Sequence, residues 1–153
     1  MMTTEELKTY KAKIVKEYGI CQILHATKDI KKKNCGETGN REAPDNASWI
    51  DYWRAMTEKH SKTMYCSSCG KELFVGEPSS DQFVKFNQGT DTVDKHRAHG
   101  GHIWVVASDE AKYTGGRYIT PLCPECNGQH DKDITIKKGS VYCKELGAKT
   151  EKS

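Results

Sequence analysis

Cys66-Ser67-Ser68-Cys69-Gly70 and Cys123-Pro124-Glu125-Cys126-Asn127 decide how this chain is read, because each is a C-x2-C pair with the spacing that directs two sulfurs at one metal ion. Two residues between thiols make a tight turn whose backbone N–H groups face the sulfurs, and Gly70 relieves the steric cost of closing the first turn. Two such turns complete a tetrahedron. Cys66, Cys69, Cys123 and Cys126 are therefore expected to hold one structural zinc ion. Two redox or disulfide dithiols are the alternative, but four ligands from separate knuckles suit a closed zinc shell better.

The 153 residues set the scale of one domain with a small appendage. A hydrophobic fraction of 35% and a mean hydropathy of −0.79 leave little apolar surface to bury, and a structural metal would fill that gap. The formal charge is +3. Ionising four thiols around one divalent ion brings it close to neutral, so nucleic-acid binding would have to rest on a local Lys/Arg patch. No segment approaches the ~18 apolar residues of a membrane span, and Met1-Met2-Thr3-Thr4-Glu5-Glu6 lacks the basic-then-apolar order of a secretory signal. Seven cysteines, four with metal spacing, fit a reducing compartment, and the expected location is cytoplasmic, without a membrane partner. Cys21, Cys35 and Cys143 read as small buried or partly exposed residues.

Thr3-Thr4-Glu5-Glu6 has the form of a capping box, and Leu7, Tyr10, Ile14 and Tyr18 follow at helical spacing up to Gly19, which predicts an amphipathic helix. Ile20–Ala26 is a short buried strand or a helical continuation after a kink. From Lys28 to Asn46 the composition turns polar and predicts a long exposed loop, with Lys31-Lys32-Lys33 as a solvated run able to meet phosphate. Ser48 caps a second helix, with Trp49, Trp53, Met56 and His60 on one side facing the zinc module. Glu72–Val75 and Phe83–Phe86 are expected as one hairpin, and His102–Val106 with Arg117–Leu122 as a second, joined by a loop holding Gly115-Gly116. Asn127–Asp133 reads as a short helical turn, Ile134–Ile136 with Val141–Tyr142 as a last hairpin, and the chain from Lys149 as a frayed tail.

Knuckle, hairpin, knuckle and short helix is the order of a treble-clef zinc finger. Gly100-Gly101-His102-Ile103, followed by Tyr118-Ile119-Thr120-Pro121-Leu122-Cys123-Pro124-Glu125-Cys126-Asn127, resembles the HNH-like endonuclease group over roughly residues 64 to 131. The resemblance implies that His102 occupies the general-base position. Gly101 stands where a metal-binding Asp or His is usual, Tyr118 where Asn is common, and Asn127 where a last His often follows. A phosphodiester hydrolase needs both an activated water and a cation against the developing charge, and glycine supplies no ligand.

The sequence thus predicts an α+β fold: a small zinc-stabilised treble-clef, HNH-like module with preceding amphipathic helices. Residues 1–47 form an N-terminal helix, strand and polar loop, 48–147 the aromatic helix and zinc module, and 148–153 a flexible tail. The expected function is binding nucleic acid or a nucleic-acid-processing protein without nuclease activity. One alternative is a metal-dependent HNH-type endonuclease with His102 as base, and His96 or His99 with His130 holding a second divalent ion. The others are a protein-interaction adaptor or inhibitor and, structurally, a zinc ribbon.

Overall fold

The Thr3 hydroxyl accepts the Glu6 N–H at 3.2 Å while the Glu6 carboxylate accepts the Thr3 N–H at 3.2 Å. This reciprocal cap starts α1 (Thr4–Tyr18), which buries Leu7, Tyr10 and Ile14 and stops at Gly19, as the spacing predicts. The computed structural model describes residues 1–35, 41–105 and 116–150. Within these the chain is α+β, with antiparallel sheets. The largest sheet has six strands in the order β1 (Ile23–His25), β9 (Val141–Lys144), β7 (Gly116–Leu122), β6 (His99–Val105), β2 (Ile30–Asn34) and β8 (Asp133–Ile136). Its centre is the predicted hairpin, opened three residues earlier, with His102 opposite Ile119 and Gly101 opposite Thr120. Val106 and Gly115 of that expected hairpin lie outside the described residues.

Helix α2 (Trp49–Met56) starts at Ser48, whose hydroxyl accepts the Asp51 N–H at 3.1 Å. It packs on α1 and on β6, β7 and β9. The prediction of a one-sided stripe ending at His60 is corrected: the helix ends at Met56, His60 lies beyond it, and every residue from Ile50 to Met56 is buried. Two polar members of that run satisfy each other, because Arg54 Nη1 donates to Asp51 Oδ1 at 2.7 Å. Arg54 also donates to the carbonyls of Met2, His60 and Ser61.

Five further expectations are overturned. The polar stretch from Lys28 contains β2, which pairs with both β6 and β8. Lys31 and Lys33 face solvent while Lys32, 6% exposed, and Asn34 are buried, a period-two pattern in which lysine stems serve as apolar cover. Phe83–Phe86 is not a strand: Ser79 and Gln82 cap each other reciprocally and start α3 (Ser80–Phe86). The partner of β5 (Glu72–Phe74) is instead β4 (Thr63–Tyr65). β8 and β9 do not pair with each other. The turn between them is bound elsewhere, since Lys137 N–H donates to Ser67 O, Gly139 N–H to Ala26 O, and Ala26 N–H to Ser140 O.

The short helix expected at Asn127–Asp133 is α4 (Pro124–Asn127), inside the second knuckle. Lys149 is not the start of a frayed tail, for β10 (Lys149–Thr150) pairs with β3 (Arg41–Glu42); residues 151–153 lie outside the described residues. The open choice at Ile20–Ala26 resolves as strand β1. No helix among the described residues is long and apolar enough to cross a membrane.

Candidate metal centre

The first knuckle closes the β4–β5 hairpin. Cys66 N–H donates to Lys71 O at 2.8 Å and Gly70 N–H to Cys66 O at 3.0 Å. Gly70 adopts φ +79°, a left-handed conformation that disfavours any side chain there. The second knuckle is the first turn of α4, where the Cys123 sulfur accepts the Cys126 N–H at 3.4 Å, doing for this helix what a Ser or Asp does at an ordinary N-cap.

The two knuckles meet. Cys123 N–H donates to Cys66 Sγ at 3.3 Å, Cys69 Sγ lies 3.8 Å from Cys123 Sγ, and all four sulfurs fall within 4.8 Å of one another. Cys66, Cys123 and Cys126 are buried and Cys69 is exposed. Burial pushes the Cys66 thiol up, but backbone N–H groups at Cys69, Cys123 and Ser68 outweigh it and hold the thiol below its ordinary value. Burial raises Cys69 and Cys126, with the charge of neighbouring sulfurs adding to it. Four crowded thiols resist ionising together unless a cation shares them, which is the behaviour of a metal-ligand set. These four residues could hold a metal ion, and they are the group read from the sequence.

The shell is anchored by residues that motif spacing does not reveal. Asn34, on β2, donates from Nδ2 to the carbonyls of Cys126 and Asn127, each at 3.1 Å. Ser67 Oγ lies 2.6 Å from Thr120 Oγ1, which donates to Val141 O at 3.0 Å, and Trp53 Nε1 donates to the same carbonyl at 2.9 Å. Because Thr120 spends its proton on Val141, Ser67 is the donor between the two hydroxyls. The first knuckle is thereby tied to β7, β9 and α2.

The histidines are dispersed. His102 is 4% exposed, edge-on to Trp49 at 5.0 Å between ring centroids, with Nε2 3.1 Å from Glu145 Oε2. Despite that proximity, Nε2 makes no hydrogen bond to a described residue. His96 is held by Asp91 Oδ2 and Glu72 O, each at 2.8 Å, and stacks on Phe86 at 4.2 Å. His99 and His130 are exposed. Among the described residues the four cysteines are the only group of three or more His, Cys, Asp or Glu placed to share an ion.

Position 101 is also filled. A Cβ there would stand 2.3 Å from Leu122 Cδ1 and 3.1 Å from Asn127 Oδ1, and at Gly100 it would meet the Trp49 backbone at 2.5 Å. Of the remaining cysteines, Cys21 Sγ donates to Lys144 O at 3.2 Å, Cys143 is fully buried, and Cys35 is buried beside β2, its N–H donating to His102 O at 2.9 Å. The Glu145 partner of His102, 43 positions away in sequence, carried no local signal. Comparison with protein-family models, with curated proteins and with solved structures finds no match to this chain.

Proposed function

We propose that this protein is a zinc-binding, HNH-like treble-clef module without nuclease chemistry that binds nucleic acid or a nucleic-acid-processing protein. Zinc is the ion that four thiolates at this spacing favour, tetrahedral and closed to substrate. The order of knuckle, β6–β7 hairpin and knuckle at a helix start supports the treble-clef reading. The observation that carries the loss of catalysis is Gly101. Its neighbours Leu122 and Asn127 fill the space a metal-binding side chain would need, while the histidine next to it is 4% exposed and faces Trp49 and Glu145. A general base has to reach a water beside the scissile phosphate, and a ring enclosed in this way is a packing element.

Elemental analysis of the purified chain, together with cleavage assays on plasmid and single-stranded substrates with Mg²⁺ or Mn²⁺, tests the proposal. One zinc per chain and no cleavage is the expected result. A second divalent ion, with cleavage that His102→Ala abolishes, overturns it in favour of a metal-dependent endonuclease.

A further inference from the structure

A cavity of about 650 Å³ opens beside the first zinc knuckle, floored by Trp53, Met64, Pro121 and Val141. Tyr65, 66% exposed, stands at it from β4. Lys59, Lys137 and Lys138 line it together with His60, and no carboxylate does. Neither Lys59 nor Lys138 is in an ion pair among the described residues; Lys137 Nζ reaches only the Cys69 carbonyl, at 3.4 Å. The ammonium groups of Lys59 and Lys138 beside an apolar floor suit a ligand that is anionic along one edge and aromatic along the other.

The basic surface does not end there. The Lys137–Ser140 turn that forms one wall is hydrogen-bonded to Ala26 through Gly139 and Ser140, and the far side of that contact is a second cavity of about 530 Å³ lined by Lys28, Lys31 and Lys32. Asp29 is its one acidic residue, and its carboxylate accepts the Lys138 N–H at 2.8 Å. Two adjoining cationic hollows favour a chain of phosphates over a single one.

We infer that this groove is the nucleic-acid contact surface, and that it takes a single strand, with a base against Tyr65 over the apolar floor and the backbone running from Lys59 past Lys138 toward Lys28 and Lys31. The inference rests on the binding function proposed above and places it on the knuckle face, away from His102. A pocket of this size accepts an unstacked base, which a duplex does not present.

The test uses the zinc-loaded full chain and fluorescence anisotropy with labelled 20-nucleotide single-stranded DNA and RNA, the matching duplex, and a poly(Glu-Tyr) copolymer in parallel. Single strands are expected to bind more tightly than duplex. Tyr65→Ala should weaken binding about tenfold, the order of one lost base stack. Lys59→Glu/Lys138→Glu should weaken it at least tenfold and reduce the slope of log K against log salt by about 1.4, two phosphate contacts at roughly 0.7 each. Zinc content should be unchanged in both. If the wild type binds single strands and the variants bind equally well, the groove is wrong and the binding function stands. Equal or better binding of duplex also overturns the groove alone. If the copolymer binds and no oligonucleotide does, the groove is an acidic-peptide site, and both the inference and the nucleic-acid reading fall.

Discussion

The Asn34 carboxamide donates to the Cys126 carbonyl at 3.1 Å, so a strand from the N-terminal third of the chain holds the second cysteine knuckle. The same Nδ2 reaches Asn127 O, and the Asn34 backbone pairs with Asp131 and Lys132 on both its N–H and C=O. Asn34→Ala leaves two carbonyls without this donor. The expected cost is about 1–3 kcal/mol in urea denaturation of the metal-loaded protein, together with faster zinc transfer to a chromogenic chelator. An unchanged transfer rate would show that the knuckle holds its geometry without β2.

Metal removal should reach well past the knuckles. Ser67, between the two cysteines of the first turn, accepts from Lys137 N–H and Ser140 Oγ at its carbonyl, donates its N–H to Pro121 O and its hydroxyl to Thr120. Structural zinc in small modules carries an apparent binding free energy of about 10–16 kcal/mol, comparable to the whole stability of a domain. Chelation, Cys66→Ser or Cys123→Ser should therefore strip amide protection from residues 64–75, from β7 and from the 137–141 turn together in hydrogen exchange. Protection lost only within the knuckles would mean that the sheet stands without the ion.

The sequence made the four-cysteine cluster legible because metal chemistry would impose that spacing, and α1 legible because Thr3-x-x-Glu6 and a 3.6-residue stripe are both local. The failures share a cause. At β2, Lys31-Lys32-Lys33 reads as solvated, yet the buried Lys32 stem and the Asn34 amide are accommodated by strands far along the chain. Phe83-Val84-Lys85-Phe86 is aromatic and apolar enough to read as a strand beyond the Gly76–Ser80 turn, but the Ser79–Gln82 cap decides for helix. β8 and β9 look like a hairpin because Lys138-Gly139 is a plausible turn. What separates them is a contact between that turn and Ser67, and no window of sequence contains both. The site was incomplete for the same reason: Asn34, Thr120 and Glu145 matter through long-range partners.

Acid should loosen the segment behind β5. The hydrogen bond from His96, with Lys71 adding charge, holds the Asp91 carboxyl below the usual carboxylate range against the opposing effect of burial. A carboxyl depressed in the folded state stabilises fully above its ordinary, unfolded value, and the contribution is lost as pH falls through the folded one. The His96 ring, which also contacts Glu72 O and stacks on Phe86, should then lose its restraint. Histidine ring NMR signals are expected to show His96 broadening or shifting in step with Asp91 protonation, below pH 4. Asp91→Asn should flatten the acid limb of the stability profile, and an acid limb identical to wild type would remove Asp91 as its source.

Arg54 is the buried charge on which α2 depends most. Its side chain is 1% exposed and that of Asp51 7%, and the guanidinium spends its donors on Asp51 and on the carbonyls of Met2, His60 and Ser61. Arg54→Leu removes the cation, strands the Asp51 carboxylate and deprives three carbonyls of a partner. Breaking a buried pair from one side typically costs about 3–5 kcal/mol, which for a chain of this size lowers Tm by roughly 6–20 °C. Arg54→Leu/Asp51→Leu removes both charges and should recover part of that loss, because the desolvated carboxylate is the larger share of the damage. If the double variant melts lower than Arg54→Leu alone, the carbonyl contacts and the Met2 N–H bond to Asp51 Oδ2 at 3.1 Å outweigh the ion pair, and Arg54 acts as a backbone clamp more than as a counter-ion.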